Sequence, residues 1–199
     1  MMMGDHPVGD GQAQVAEILT KYDAESDYRN LRGFAAKVVG AIAITFSLFQ
    51  LYTAAFGVLD AHLQRSIHLA FGLCLVFLLY PTRKSWSRNK IHWFDLLLAI
   101  GGAAAPLYIV VFYQQLVLRA GIVTPIDFVV GIIAILLVLE AARRVVGLPI
   151  LIVSLVFLGY ALLGRYVPGV FAHQGATLQR LVGHLFFTTE GIMGIPLGV

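Results

Sequence analysis

Glu140 stands three and four residues before Arg143 and Arg144, which puts all three side chains on one face of a helix. That spacing makes an intrahelical ion pair, and the same groups offer a contact to a lipid or a neighbouring domain. His68 is the clear ionisable residue within the first four apolar segments. A histidine there pairs with a polar group on another helix, relays protons, or sits close to the membrane interface. Gly194 and Gly198 flank Pro196 in an apolar run. Segments broken by glycine and proline lie near the substrate in many transporters, and glycines at this spacing equally serve close helix packing. The histidines and the cysteine do not assemble into a reaction centre. His6, His62, His68, His92, His173 and His184 contain no i,i+3 or i,i+4 pair, and Cys74 is the single cysteine. No metal set, no cofactor and no phosphate-cradling loop is expected, and enzymatic chemistry is not the leading expectation.

The elements that hold these residues follow from composition. Of 199 residues 59% are apolar and 13% charged, far from the roughly 45–50% and 25% of soluble domains. A helix crosses a hydrocarbon core of about 30 Å with roughly 20 apolar residues. Five segments meet or approach that length: about Phe34 to Leu59, Leu63 to Tyr80, Phe94 to Tyr113, Ile126 to Ala142 and Leu148 to Gly164. Their unbroken apolar runs, such as Ile132–Leu139, lack the alternation of a β-barrel. The fold class expected is therefore an all-α integral membrane protein. Thr124-Pro125-Ile126-Asp127 reads as a helix start with a capping residue, a first-turn proline and an acid at the capping-box position. Asp60 and His62 fall in a turn as capping or solvated groups, and Asp95 suits the first turn of the third span through the helix dipole.

Charge distribution sets the expected threading. Arg29, Arg32, Lys37, Arg83, Lys84, Arg88, Lys90, Arg143 and Arg144 fall on one side, against Arg65, Arg119, Arg165 and Arg180 on the other. Nine against four places the amino terminus and the 81–92 loop in the cytoplasm. The net charge of +3 is then a topology signal with anionic lipid as its counter-charge, and nucleic acid is not an expected partner. Residues 1–33 form a tail with six acids and three bases, in which Val15, Ile18, Leu19 and Tyr22 are spaced for a short amphipathic helix.

Residues 34–146 read as four spans in a compact up-down bundle, and the character changes at Gly147-Leu148-Pro149. From about Ala176 to Thr189, Leu178, Leu181, Val182, Leu185 and Phe186 recur at helical spacing with polar residues between them. This is an amphipathic helix expected to lie along the external interface, with no core to pack on. Gly191–Val199 is expected to open a sixth span that continues in a longer polypeptide.

The stretch Leu139-Glu140-Ala141-Ala142-Arg143-Arg144-Val145-Val146-Gly147-Leu148-Pro149-Ile150, then Val156-Phe157-Leu158-Gly159-Tyr160, Leu178-Gln179-Arg180-Leu181 and Thr188 through Val199, resembles the fused permease of TRAP transporters of the TAXI type. The likeness is close over residues 135–199, while the first four spans match in number and layout. It implies a secondary transporter that takes organic acid anions, dicarboxylates among them, from a periplasmic substrate-binding protein. Transport would be coupled to Na⁺ or H⁺ in the inner membrane of a bacterium or archaeon. Residues 34–146 would correspond to the small subunit and 147–199 to the start of the large one, with 176–189 as its external arm. The ion and substrate sites of that family lie in later hairpins, so no binding residue is carried over. Two other readings stand beside it: a stand-alone small membrane subunit of another tripartite carboxylate transporter, and a membrane-embedded enzyme centred on His68.

Overall fold

The structure is a computed structural model and describes residues 28–57, 59–83, 86, 88–194 and 197. The tail up to Asp27, including the amphipathic spacing at Val15–Tyr22, lies outside the described residues, as do Pro196 and Gly198. Among the described residues the chain is helical and contains no strand. The helices are α1 Phe34–Phe56, α2 Ala61–Leu79, α3 Trp93–Val111, α4 Tyr113–Leu118, α5 Pro125–Val145, α6 Leu148–Leu163 and α7 Leu178–Phe187. Five of them, α1, α2, α3, α5 and α6 with its short extension to Tyr166, are long and apolar enough to cross a membrane. The chain is a multi-pass membrane protein by that criterion.

Local chemistry sets the boundaries. α1 ends at Gly57, whose left-handed backbone (φ 55°) lets its N–H return to Thr53 O at 2.8 Å. α2 begins where the Asp60 carboxylate accepts the His62 N–H at 2.9 Å. α5 begins with the full capping box expected at Thr124 and Asp127, with Pro125 in its first turn. Gly147, at φ 104°, turns the chain sharply between α5 and α6, and Pro149 then sits where its missing N–H is harmless. The third span does not reach Tyr113 in one piece, as its apolar length predicts. Phe112 leaves helical geometry (φ −101°, ψ 18°), separating α3 from the short α4. Pro106 lies inside α3, fully buried, and the helix continues through it.

The core is built mainly by α2, α3 and α5, with α1 set against α2 and α6 against α5. Phe77 and Ile109 are completely enclosed, while α6 buries no residue and α1 buries Val39 and Thr53. Long helices so exposed and so apolar need hydrocarbon around them rather than water. α2 and α3 approach closely at Gly102, where a Cβ would lie 2.9 Å from Phe77 Cε2 and 3.0 Å from Leu73 Cβ. Gly102→Val is therefore expected to lower stability by about 1–3 kcal/mol, read as a drop in the thermal unfolding midpoint in detergent. Gly101→Ala is the control, because a Cβ there meets nothing nearer than Leu137 Cδ1 at 3.8 Å.

The amphipathic helix departs from expectation. α7 has a core to pack on: Val182 and Phe186 are buried against α5, and a Cβ on Gly131 would lie 2.5 Å from Val182 Cγ1. It is also shorter than the expected Ala176–Thr189. The Thr177 side chain accepts the Arg180 N–H and starts the helix at Leu178, while the Ala176 N–H goes to Ala161 O at 2.8 Å. The segment beyond α7 is likewise not a helical start over its described part. Residues 188–194 form bends and turns that bring the Ile192 N–H to Leu185 O and enclose Met193. Gly194 closes the last of these turns, and Arg65 Nη1 holds Met193 O at 2.8 Å. Of the Gly194-Pro196-Gly198 spacing only Gly194 can thus be placed.

Candidate functional site

The principal polar constellation lies where α2 ends, α3 begins and α5 ends. A helix leaves its last four carbonyls without partners, and its C-terminus favours cations. Here the cations come from distant parts of the chain. Arg29, 2% exposed, donates through Nη1 to Phe77 O at 3.2 Å and Leu78 O at 2.8 Å, and through its backbone N–H to Leu79 O at 2.7 Å. Arg144, from the last turn of α5, donates to Tyr80 O at 2.9 Å. The carbonyls at the end of α2 are satisfied by two guanidinium groups and one amide.

Asp95 joins both cations. It occupies the first turn of α3, has no exposed surface, and pairs with Arg29 Nη2. It also accepts from Arg144 Nη1 at 2.8 Å and from the Thr82 hydroxyl at 2.5 Å. Arg144 Nη2 donates in turn to Thr82 Oγ1 at 2.6 Å, and the Arg144 guanidinium lies 4.8 Å from the centre of the Phe77 ring. Glu140 takes Arg144 Nε at 2.9 Å and Arg143 through two bonds of 2.7 and 2.8 Å. One side-chain cluster therefore fastens the residues before α1 to α2, α3 and α5. Among the described residues three arginines face two carboxylates, leaving one positive charge in excess, and Arg29 Nε has no hydrogen-bond partner there.

A second clasp closes the opposite end, where α3 finishes and α5 starts. Asp127 is fully buried and accepts a two-pronged bond from Arg119, at 2.6 Å to Oδ2 and 3.0 Å to Oδ1. The Tyr108 hydroxyl donates to Oδ1 at 2.7 Å, and the Thr124 N–H and hydroxyl both reach Oδ2. The acid that caps α5 thus also ties α3 and α4 to it. Close by, the His62 N–H and, second, the Tyr113 hydroxyl hold the Asp60 carboxyl below the usual carboxylate range. The same Asp60 contact pushes the Tyr113 phenol up.

His68 sits apart from both clasps. Its Nδ1 lies 2.6 Å from Gln50 Nε2 on α1, and the Phe46 ring meets it edge-on. The arrangement is a polar link between α1 and α2. Glu140, Arg143 and Arg144 come together as a group, while His68 and Gly194 join no site with them. Reasoning from the sequence missed Arg29, Thr82 and Asp95 as members of the first clasp, and Arg119 and Tyr108 as members of the second. Among the described residues, no group of three or more His, Cys, Asp or Glu side chains is placed to hold a metal ion. Chemically, both constellations are locks: every carboxylate is saturated by donors.

No family model, no curated protein and no solved structure matches this chain.

Proposed function

We propose that this chain is the membrane scaffold portion of a TRAP-type, binding-protein-dependent secondary transporter importing organic acid anions with Na⁺ or H⁺ coupling. The observation that carries the scaffold role is the pair of buried clasps at opposite ends of the helices. A part that moves with substrate needs interfaces that break and re-form, whereas ends locked by saturated buried charges favour one arrangement. The family reading rests on the resemblance carried by the string Glu190-Gly191-Ile192-Met193-Gly194-Ile195-Pro196-Leu197-Gly198-Val199 and by the Leu139–Ile150 stretch. In this reading α1 and α6 present their apolar surfaces to lipid or to the remaining transport sequence, and the cytoplasmic side carries Arg29, Asp95 and Arg144. The partners are a periplasmic binding protein, the rest of the large transport subunit and membrane lipid.

Uptake by the full-length transporter in proteoliposomes tests the proposal. Organic acid accumulation is expected only with the binding protein present and a Na⁺ or proton gradient imposed. Accumulation that persists without the binding protein, or after both gradients are collapsed, overturns it.

A further inference from the structure

A cavity of about 630 Å³ lies between α4, the start of α5 and α7. It sits where three apolar spans terminate: α2 begins at Ala61, α3 ends at Val111 and α5 begins at Pro125. That is the depth at which hydrocarbon gives way to head groups. Its lining is mixed. Arg180 has no side-chain hydrogen bond or ion pair among the described residues, whereas Arg119 and Asp127, both on the wall, are already paired with each other. The first turn of α7, with Thr177, Gln179 and Arg180 on the wall, adds the positive end of a helix dipole. His62 lines the chamber too. Val117 and Ile122, both more than half exposed, and Phe187 contribute apolar lining.

We infer that this chamber binds the phosphodiester of a membrane phospholipid, with the phosphate against Arg180 and the first turn of α7. The acyl stem covers Val117 and Ile122. A free phosphate satisfies Arg180 and leaves the apolar lining wet; a phospholipid satisfies both. The lipid then stands between α4 and α7, filling the space that the direct contacts of α7 with α5 leave open.

The test is lipid binding to the purified full chain in detergent, followed by native mass spectrometry with phosphatidylglycerol as the probe. Arg180→Gln is expected to weaken binding about tenfold, the loss of one charge-assisted contact. Val117→Glu, at an exposed position, sets a carboxylate beside the acyl path and is expected to weaken binding as much without lowering the unfolding midpoint. Arg83→Gln, at the other end of the bundle, is expected to leave it unchanged. Equal affinity in all three variants overturns the site. Displacement of the bound lipid by millimolar inorganic phosphate overturns the lipid assignment and marks the chamber as a site for free anions.

Discussion

Replacing Asp95 with asparagine is expected to remove about 3–5 kcal/mol of stability, the scale measured when one member of a buried ion pair is deleted. The substitution keeps the side-chain volume, so the loss reports charge and hydrogen bonding rather than a cavity. What remains is Arg29 and Arg144, both nearly sealed from solvent, facing each other across a neutral amide. Against a total of roughly 5–15 kcal/mol for an ordinary folded domain, that is a large share. The measurement is the unfolding midpoint in mild detergent, with Glu140→Gln as comparator. Glu140 and Arg143 are each about a quarter to a third exposed, at 27% and 31%, so water compensates part of that loss. A midpoint for Asp95→Asn no lower than that for Glu140→Gln sinks the prediction. Adding Arg29→Gln to the Asp95 variant is expected to recover part of the loss, because it removes one stranded charge.

Gly131→Leu is the second large effect, and it acts on position as well as stability. A Cβ at residue 131 already falls 2.5 Å from Val182 Cγ1 and 3.1 Å from Phe187 Cε2, so a full leucine has no room while α7 stays in place. Overpacking of this kind costs about 1–3 kcal/mol when the surroundings yield by small shifts. Here the element that can yield is a ten-residue helix, so α7 lifts from α5. Hydrogen exchange of the α7 amides is expected to speed up while those of α2 and α3 are unchanged. Val182→Ala in the same chain is expected to restore part of the protection by clearing the nearest methyl. Unaltered exchange in α7 after Gly131→Leu would falsify the docking geometry.

The spans were legible because each requirement is local. An apolar run long enough to cross hydrocarbon declares itself, and so does the start of α5, where Thr124, Pro125 and Asp127 carry their cap within four residues. The Glu140–Arg143–Arg144 pairing was legible for the same reason, since helical spacing alone brings those groups together. Asp95 was not. Its first-turn position explains an acid there without reference to any partner, and its partners stand 66 and 49 residues away. Arg29 and Arg144 read equally well as cytoplasmic anchors; nothing local distinguishes an arginine in the head-group layer from one closing a buried cluster. α7 was read correctly as amphipathic, but period alone does not say whether its apolar face meets lipid or protein. Gly131 decides that question, and one glycine among twenty announces nothing until Val182 is seen against it.

The first clasp also fixes an order of events during synthesis. Arg29 precedes Asp95, so both members of that pair are in the chain once α3 has been made. Arg144 is made 49 residues after Asp95, a delay of roughly 2–10 s at ordinary rates of translation. Throughout that interval Tyr80 O and the Thr82 hydroxyl lack the donors they have in the finished fold. A nascent chain halted before Arg144 therefore leaves those two groups without these donors beside the end of α2, where burial without a partner is costly.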